Sequence, residues 1–128
     1  MQNEKDDTAK LILRCSIAFV FFYFATQQIT SPDSWASLIP EFAKGGFLSA
    51  NNLVILNGVF ELTFGLLLIS GLYLRFASFI LSIHLIIISI TMGFTPTGIR
   101  DFGLAFATFA LFLLGPDKYC LDNKLKKN

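Results

Sequence analysis

Four long apolar runs, Leu11 to Ile29, Leu53 to Leu74, Phe76 to Phe94 and Ile99 to Leu114, take up most of this 128-residue chain. Crossing a hydrocarbon core takes about 20 residues of helix, and the first three runs reach that length. The fourth is shorter, and its apolar stretch begins just after Arg100-Asp101. A chain this short has no interior able to hide four such helices, so lipid must act as their solvent. A soluble amphipathic helix would interrupt its apolar residues with charge every turn or so. Here Ile12, Leu13, Ile17, Ala18 and Phe19 to Phe22 surround the first helix, and Leu85 to Ile88 do the same in the third. The expected fold is an all-α membrane protein, an antiparallel bundle of four transmembrane helices.

Basic residues set the expected orientation, because short loops rich in Lys and Arg stay in the cytoplasm. An even number of crossings puts both termini on one side. That side carries Lys5, Lys10, Arg14, Arg75, Lys118, Lys124, Lys126 and Lys127; the other has Lys44 and Arg100. Both termini are therefore expected in the cytoplasm and the chain in the inner (plasma) membrane. Met1 to Asp7 is acidic and polar and resembles no signal peptide, so the first helix is expected to remain as an anchor. The near-neutral total charge of +1 gives no reason to expect nucleic acid as a partner. Cys15 and Cys120 fall on the reducing side, outside any Cys-x-x-Cys pair, which argues against a thiol–disulfide enzyme.

Punctuation between the runs divides a single domain into a polar 1–8, helices at about 9–29, 51–72, 75–94 and 99–115, and a polar tail over 116–128. Ser31-Pro32-Asp33 reads as a helix start. Trp35, Leu38, Ile39 and Phe42 follow near helical spacing, interrupted by Pro40. This predicts a short amphipathic helix on the outer surface, with Trp35 at headgroup depth. Gly71 to Arg75 and Thr95 to Gly98 make tight turns, and Gly115-Pro116 stops the last helix. Short connections place consecutive helices side by side. From Asp122 onward the tail is expected to be loose.

Polar residues within the runs are costly in lipid and mark where function would sit. Tracing helix directions brings Gln27, Gln28, Asn57, Arg100 and Asp101 to the outer third of the bundle, with Glu61 a turn or two deeper near His84. A buried carboxylate needs a partner or a proton, so Glu61 and Arg100 are expected to meet. Their meeting serves either a structural ion pair or a ligand. His84 is expected to be a hydrogen-bonded bundle residue; with no second His, no metal site is expected. Arg14 and Arg75 are expected to snorkel to the inner headgroups. Gly58, Gly65, Ala18, Ala25, Gly103 and Ala107 read as small residues at helix contacts.

These residues, taken in order, resemble the DoxX-like membrane proteins. Arg14, Ala18, Phe21, Ala25 and Gln28 are similar to the family's first-helix pattern of Arg, Gly, Phe, Gly and Lys. Gly58, Glu61 and Gly65, followed by Gly71 and Arg75, resemble its second-helix pattern and turn. Arg100-Asp101, Gly115-Pro116 and Leu121-Asp122 resemble its closing pattern, so the likeness runs from about Leu11 to Asp122. The resemblance implies a small four-helix membrane protein, since some relatives are subunits of quinone-reducing sulfur oxidoreductases and others join oxidative-stress complexes. Gln28 stands where the family commonly has Lys, and Ala18 and Ala25 replace glycines.

The chain shows no Cys pair, haem-type His pair or nucleotide fingerprint that would carry electrons. The expectation is an accessory membrane subunit rather than a complete enzyme, partnered with a quinone-linked redox protein. A quinone would lie between apolar helix walls with its carbonyls near Glu61, Asn57 or Arg100. The alternative is a non-catalytic module, alone or as a homo-oligomer, that binds a lipid-like molecule or stabilises a partner. A transporter ranks third, because four helices would have to oligomerise and no broken helix pair is evident.

Overall fold

The computed structural model describes residues 2–128, with side chains from Asn3 onward. The described residues form six α-helices and no strand: α1 (Gln2–Thr30), α2 (Asp33–Ala36), α3 (Ala50–Ser70), α4 (Leu74–Met92), α5 (Pro96–Leu114) and α6 (Leu121–Lys126). A 3-10 turn at Glu41–Ala43 lies between α2 and α3. Helices α1, α3, α4 and α5 are each long and apolar enough to span a membrane. No more than 39% of any of them is buried within the protein, which leaves the larger part of each surface for lipid.

Local chemistry explains where these helices begin and end. Ser49 caps α3, its Oγ accepting from the Asn52 amide at 3.2 Å. Thr95 caps α5 in the same way through Gly98, with Pro96 in the first turn. Helix α3 ends on Gly71 in the left-handed region (φ 72°), where the amides of Gly71 and Leu72 donate back to Leu68 and Leu67. This is the Schellman arrangement, which glycine enters without a Cβ penalty.

The bundle is assembled as two tight pairs, α1 with α3 and α4 with α5, joined by sparser contact between α3 and α4. Small residues bring the first pair together. A Cβ on Gly58 would lie 3.0 Å from the Ala25 carbonyl, and one on Gly65 would lie 3.0 Å from the Phe22 ring. Ala18 and Ala25 are fully buried. In the second pair Ser82 donates to the Ala105 carbonyl at 3.1 Å and Ser89 to that of Gly98 at 2.8 Å. Gly103 departs from the expectation: it is exposed, and a Cβ added there would stand in open space. The core is filled by Phe21, Leu68, Leu74, Leu81, Leu85 and Leu111.

Three expectations about the ends of the bundle are corrected. Helix α1 begins at Gln2 rather than near residue 9, adding turns of polar helix beyond the apolar run. The segment after α1 forms one helical turn and a 3-10 turn, not one amphipathic helix. Ile39 is held out of helical backbone by the following Pro40, whose own ψ is 146°. The tail is tied down rather than loose. Both carboxylate oxygens of Asp122 accept from the amides that open α4, Tyr73 at 2.8 Å and Leu74 at 2.9 Å. Tyr73 sits there at φ 50°, a left-handed conformation unusual for a residue other than glycine. Residues 121–126 then form α6.

Candidate functional site

Polar side chains buried among the spans gather at two levels. The first lies at the end of the bundle that carries both termini. Arg14, expected to reach toward headgroups, is instead buried, at 2% exposure. Its Nε donates to Asp117 Oδ2 at 3.0 Å and its Nη2 to Oδ1 at 3.3 Å. Nη1 donates to the carbonyls of Leu68 (3.0 Å) and Ile69 at the end of α3. Leu68 shares its carbonyl with the capping Gly71 amide, and a cation is favoured at a helix C-terminus. Arg14 therefore joins α1, α3 and the segment after α5 in one knot. Arg75 stays exposed, with its guanidinium against Gly115. Asp117 escaped the sequence reading because it lies beyond the last apolar run; its place beside Gly115-Pro116 was the available signal.

The second level lies toward the other end, which holds the loop between α1 and α3. Glu61, at 4% exposure, is held by three helices. Its Oε1 accepts from Asn57 Nδ2 at 3.1 Å and lies 3.3 Å from His84 Nε2; its Oε2 accepts from Gln28 Nε2 at 3.3 Å. Asn57 also donates to Gln28 Oε1 at 2.7 Å. The four residues form a closed network, and a buried carboxylate persists on such terms. Gln27, one residue away, takes no side-chain part in it among the described hydrogen bonds.

Arg100 does not pair with Glu61. Its Nε and Nη2 donate to the adjacent Asp101 Oδ1, at 3.0 and 2.9 Å. Its guanidinium carbon lies 4.3 Å from the centroid of the Phe24 ring, close enough for a cation–π contact. The expected pairing fails because Gln28, Asn57 and His84 already surround Glu61, while Asp101, buried at 6% exposure, has Arg100 beside it.

Gln28, Asn57, Glu61, Arg100 and Asp101 all line one cavity of about 290 Å³; His84 touches Glu61 from outside that lining. The walls are apolar: Phe21, Phe24, Val54, Leu85 and Leu104. The loop between α1 and α3 supplies the roof through Trp35, Leu38, Ile39, Pro40 and Ala43. Trp35 meets Phe24 edge to face at 5.7 Å. Of the four residues expected on the membrane surface, Trp35, Leu38 and Ile39 line this cavity, while Phe42 stays exposed. An apolar chamber with a few convergent polar groups is the ordinary form of a small-molecule site, and its volume falls near the lower end of the roughly 300–1,000 Å³ range.

The sequence model of the DoxX family matches residues 9–94, about two thirds of the chain. The chain belongs to the DoxX family. That match covers α1 from Ala9 onward, the roof, α3 and α4 of this DoxX protein, and so takes in Gln28, Asn57, Glu61 and His84. Arg100 and Asp101 lie beyond it. No curated protein and no solved structure matches the chain.

Proposed function

We propose that this DoxX-family membrane protein is the quinone-binding membrane partner of a redox system, accessory to an enzyme that supplies the electron carriers. The observation that carries this reading is the cavity itself: apolar walls that suit an aromatic ring, and one polar side formed by Gln28, Asn57, Glu61 and Arg100. The fit rests on unused hydrogen-bonding capacity. Gln28 Nε2 gives one of its two hydrogens to Glu61, and Arg100 gives only two of its five to Asp101. Both have donors left for a ring oxygen. A bound quinone would bring reversible two-electron, two-proton chemistry, while the chain's residues orient the ring and exclude water.

The basic-residue bias supports a location in the inner (plasma) membrane with both termini in the cytoplasm and the roofed cavity facing outward. Burial of Arg14 removes one residue from that count and leaves seven against two.

The test is purification in mild detergent, followed by mass spectrometry of extracted small molecules and co-purifying proteins. An isoprenoid quinone near one per chain is expected, together with a redox enzyme. Ala43→Phe, which fills the cavity from its roof, should lower quinone content at least tenfold with the fold intact. Phospholipid as the sole occupant, with no redox protein, would favour the non-catalytic lipid-binding module instead.

A further inference from the structure

The charges and lone pairs around the cavity say more about the ligand than its shape does. An ionised carboxylate offers about four lone-pair positions to donors. Glu61 has three filled, two on Oε1 and one on Oε2, which leaves one position on Oε2. The three donors come from α1, α3 and α4, so the carboxylate is fixed before any ligand arrives. The His84 imidazole, with Nε2 3.3 Å from Oε1, serves as a positioning residue for that oxygen.

The cavity also lacks surplus positive charge. Its charged lining residues are two carboxylates, Glu61 and Asp101, and one cation, Arg100. Arg100 gives two of its five hydrogens to Asp101 and lies over the Phe24 ring. An anionic headgroup that lacks an O–H has no donor to give the open position on Oε2. A neutral ligand with an O–H would instead give Glu61 its missing hydrogen bond. Hydrogen bonds to an ionised acceptor are about twice as strong as those between neutral groups.

We infer that Glu61 is the specificity-determining residue of the cavity, accepting a hydrogen bond from a ring hydroxyl. The site thereby favours the hydroxylated, reduced form of a quinone-class molecule over its dicarbonyl form and over anionic amphiphiles. The inference rests on the quinone-class reading above and adds to it the redox state that the site holds. No bond is made or broken in this step; the ligand hydroxyl keeps its proton and donates to Oε2.

The sole tryptophan, Trp35, lines the cavity; its quenching reports on the ring probes, and dodecanoate is read by its displacement of a bound ring probe. The full chain in lipid nanodiscs is titrated under argon with four probes. They are 2-methyl-1,4-naphthoquinone, its quinol, 1,4-dimethoxy-2-methylnaphthalene and dodecanoate. The diether keeps the ring but has no O–H. The quinol is expected to bind at least tenfold more tightly than either the diether or the quinone, and dodecanoate more weakly than all three. In Glu61→Gln the preference of quinol over diether should fall below about threefold. Equal affinity for quinol and diether, or tighter binding of quinone or dodecanoate than of quinol, overturns the inference. So does an unchanged preference in Glu61→Gln. In the first of these cases the ring-binding reading of the cavity stands. If no ring probe binds, that reading falls with it. Should Glu61→Gln not fold, the comparison of probes on the unmodified protein decides alone.

Discussion

The guanidinium of Arg14 and the carboxylate of Asp117, 103 positions apart in the chain, form a two-point ion pair that is almost wholly excluded from solvent. The same guanidinium takes the last carbonyls of α3, so one side chain fastens three segments at the terminal end of the bundle. This knot holds the floor of the protein; the Glu61 network holds the middle.

Breaking a buried ion pair from one side leaves the other charge uncompensated, at a cost of roughly 3–5 kcal/mol. Arg14→Gln and Asp117→Asn are each expected to lower the melting temperature in detergent by a large margin. The double variant should lose less than the sum of the two, with coupling above about 0.5 kcal/mol. Arg14→Gln should be the more damaging single change, because it also strips α3 of its C-terminal donor. Additive losses would show that the pair is not a unit.

Glycines in this protein are not equivalent, and two alanine substitutions separate them. At Gly71 a Cβ would lie 2.6 Å from Cys120 Cβ and Sγ, and the backbone is left-handed. Overpacking alone commonly costs about 1–3 kcal/mol, so Gly71→Ala is expected to destabilise by at least that much. At Gly103 a Cβ meets nothing within 4 Å. Gly103→Ala should fall within about 1 kcal/mol of the parent and tend toward greater stability through helix propensity. Parallel thermal melts read both, and equal effects would contradict the contacts described at Gly71.

Coupling around Glu61 should follow its hydrogen bonds. Paired with Gln28→Leu or Asn57→Leu, Glu61→Gln is expected to show interaction energies above about 0.5 kcal/mol. Paired with Arg100→Gln it should be additive to within about 0.5 kcal/mol, because the two residues share no hydrogen-bond partner. Arg100 should couple to Asp101 instead. A strong Glu61–Arg100 coupling would restore the ion pair that the sequence suggests.

Cys120 gives a pH-dependent signature. Burial pushes its thiol up to about 11 from an ordinary 9.0. The folded protein thus binds one more proton than the unfolded chain between those values. That contribution to stability is fully present below about pH 9 and is lost as pH rises toward 11. Melting temperature should decline over that window, and less so in Cys120→Ala. At pH 8 a maleimide should leave Cys120 unmodified in the native protein and label it after unfolding. Rapid native labelling would place the thiol outside the Gly71 turn.

Segment hydropathy, turn residues and small-residue spacing were enough to read four spans and their antiparallel order, because lipid imposes those constraints on each helix separately. Counting residues along known directions places Gln28, Asn57, Arg100 and Asp101 near one depth, with Glu61 a turn or two deeper, and these five line one cavity. Pairing was not legible. Asn57 lies one turn from Glu61 on the same helix, but whether Glu61 also meets Arg100 or Gln28 depends on helix rotation and tilt, set by how Gly58 lets α3 approach Ala25 of α1. Arg14 looked like a surface cation because its partner, Asp117, is local to it only after the chain has crossed the bundle three more times. Trp35 and its neighbours carry an interfacial pattern that fits a membrane surface as well as a cavity roof. The amino-acid sequence determined which residues must leave water, since that is a property of each side chain. Tertiary structure alone decided which polar groups share a hydrogen bond, since a difference of a few ångströms, invisible to spacing, separates partners from neighbours.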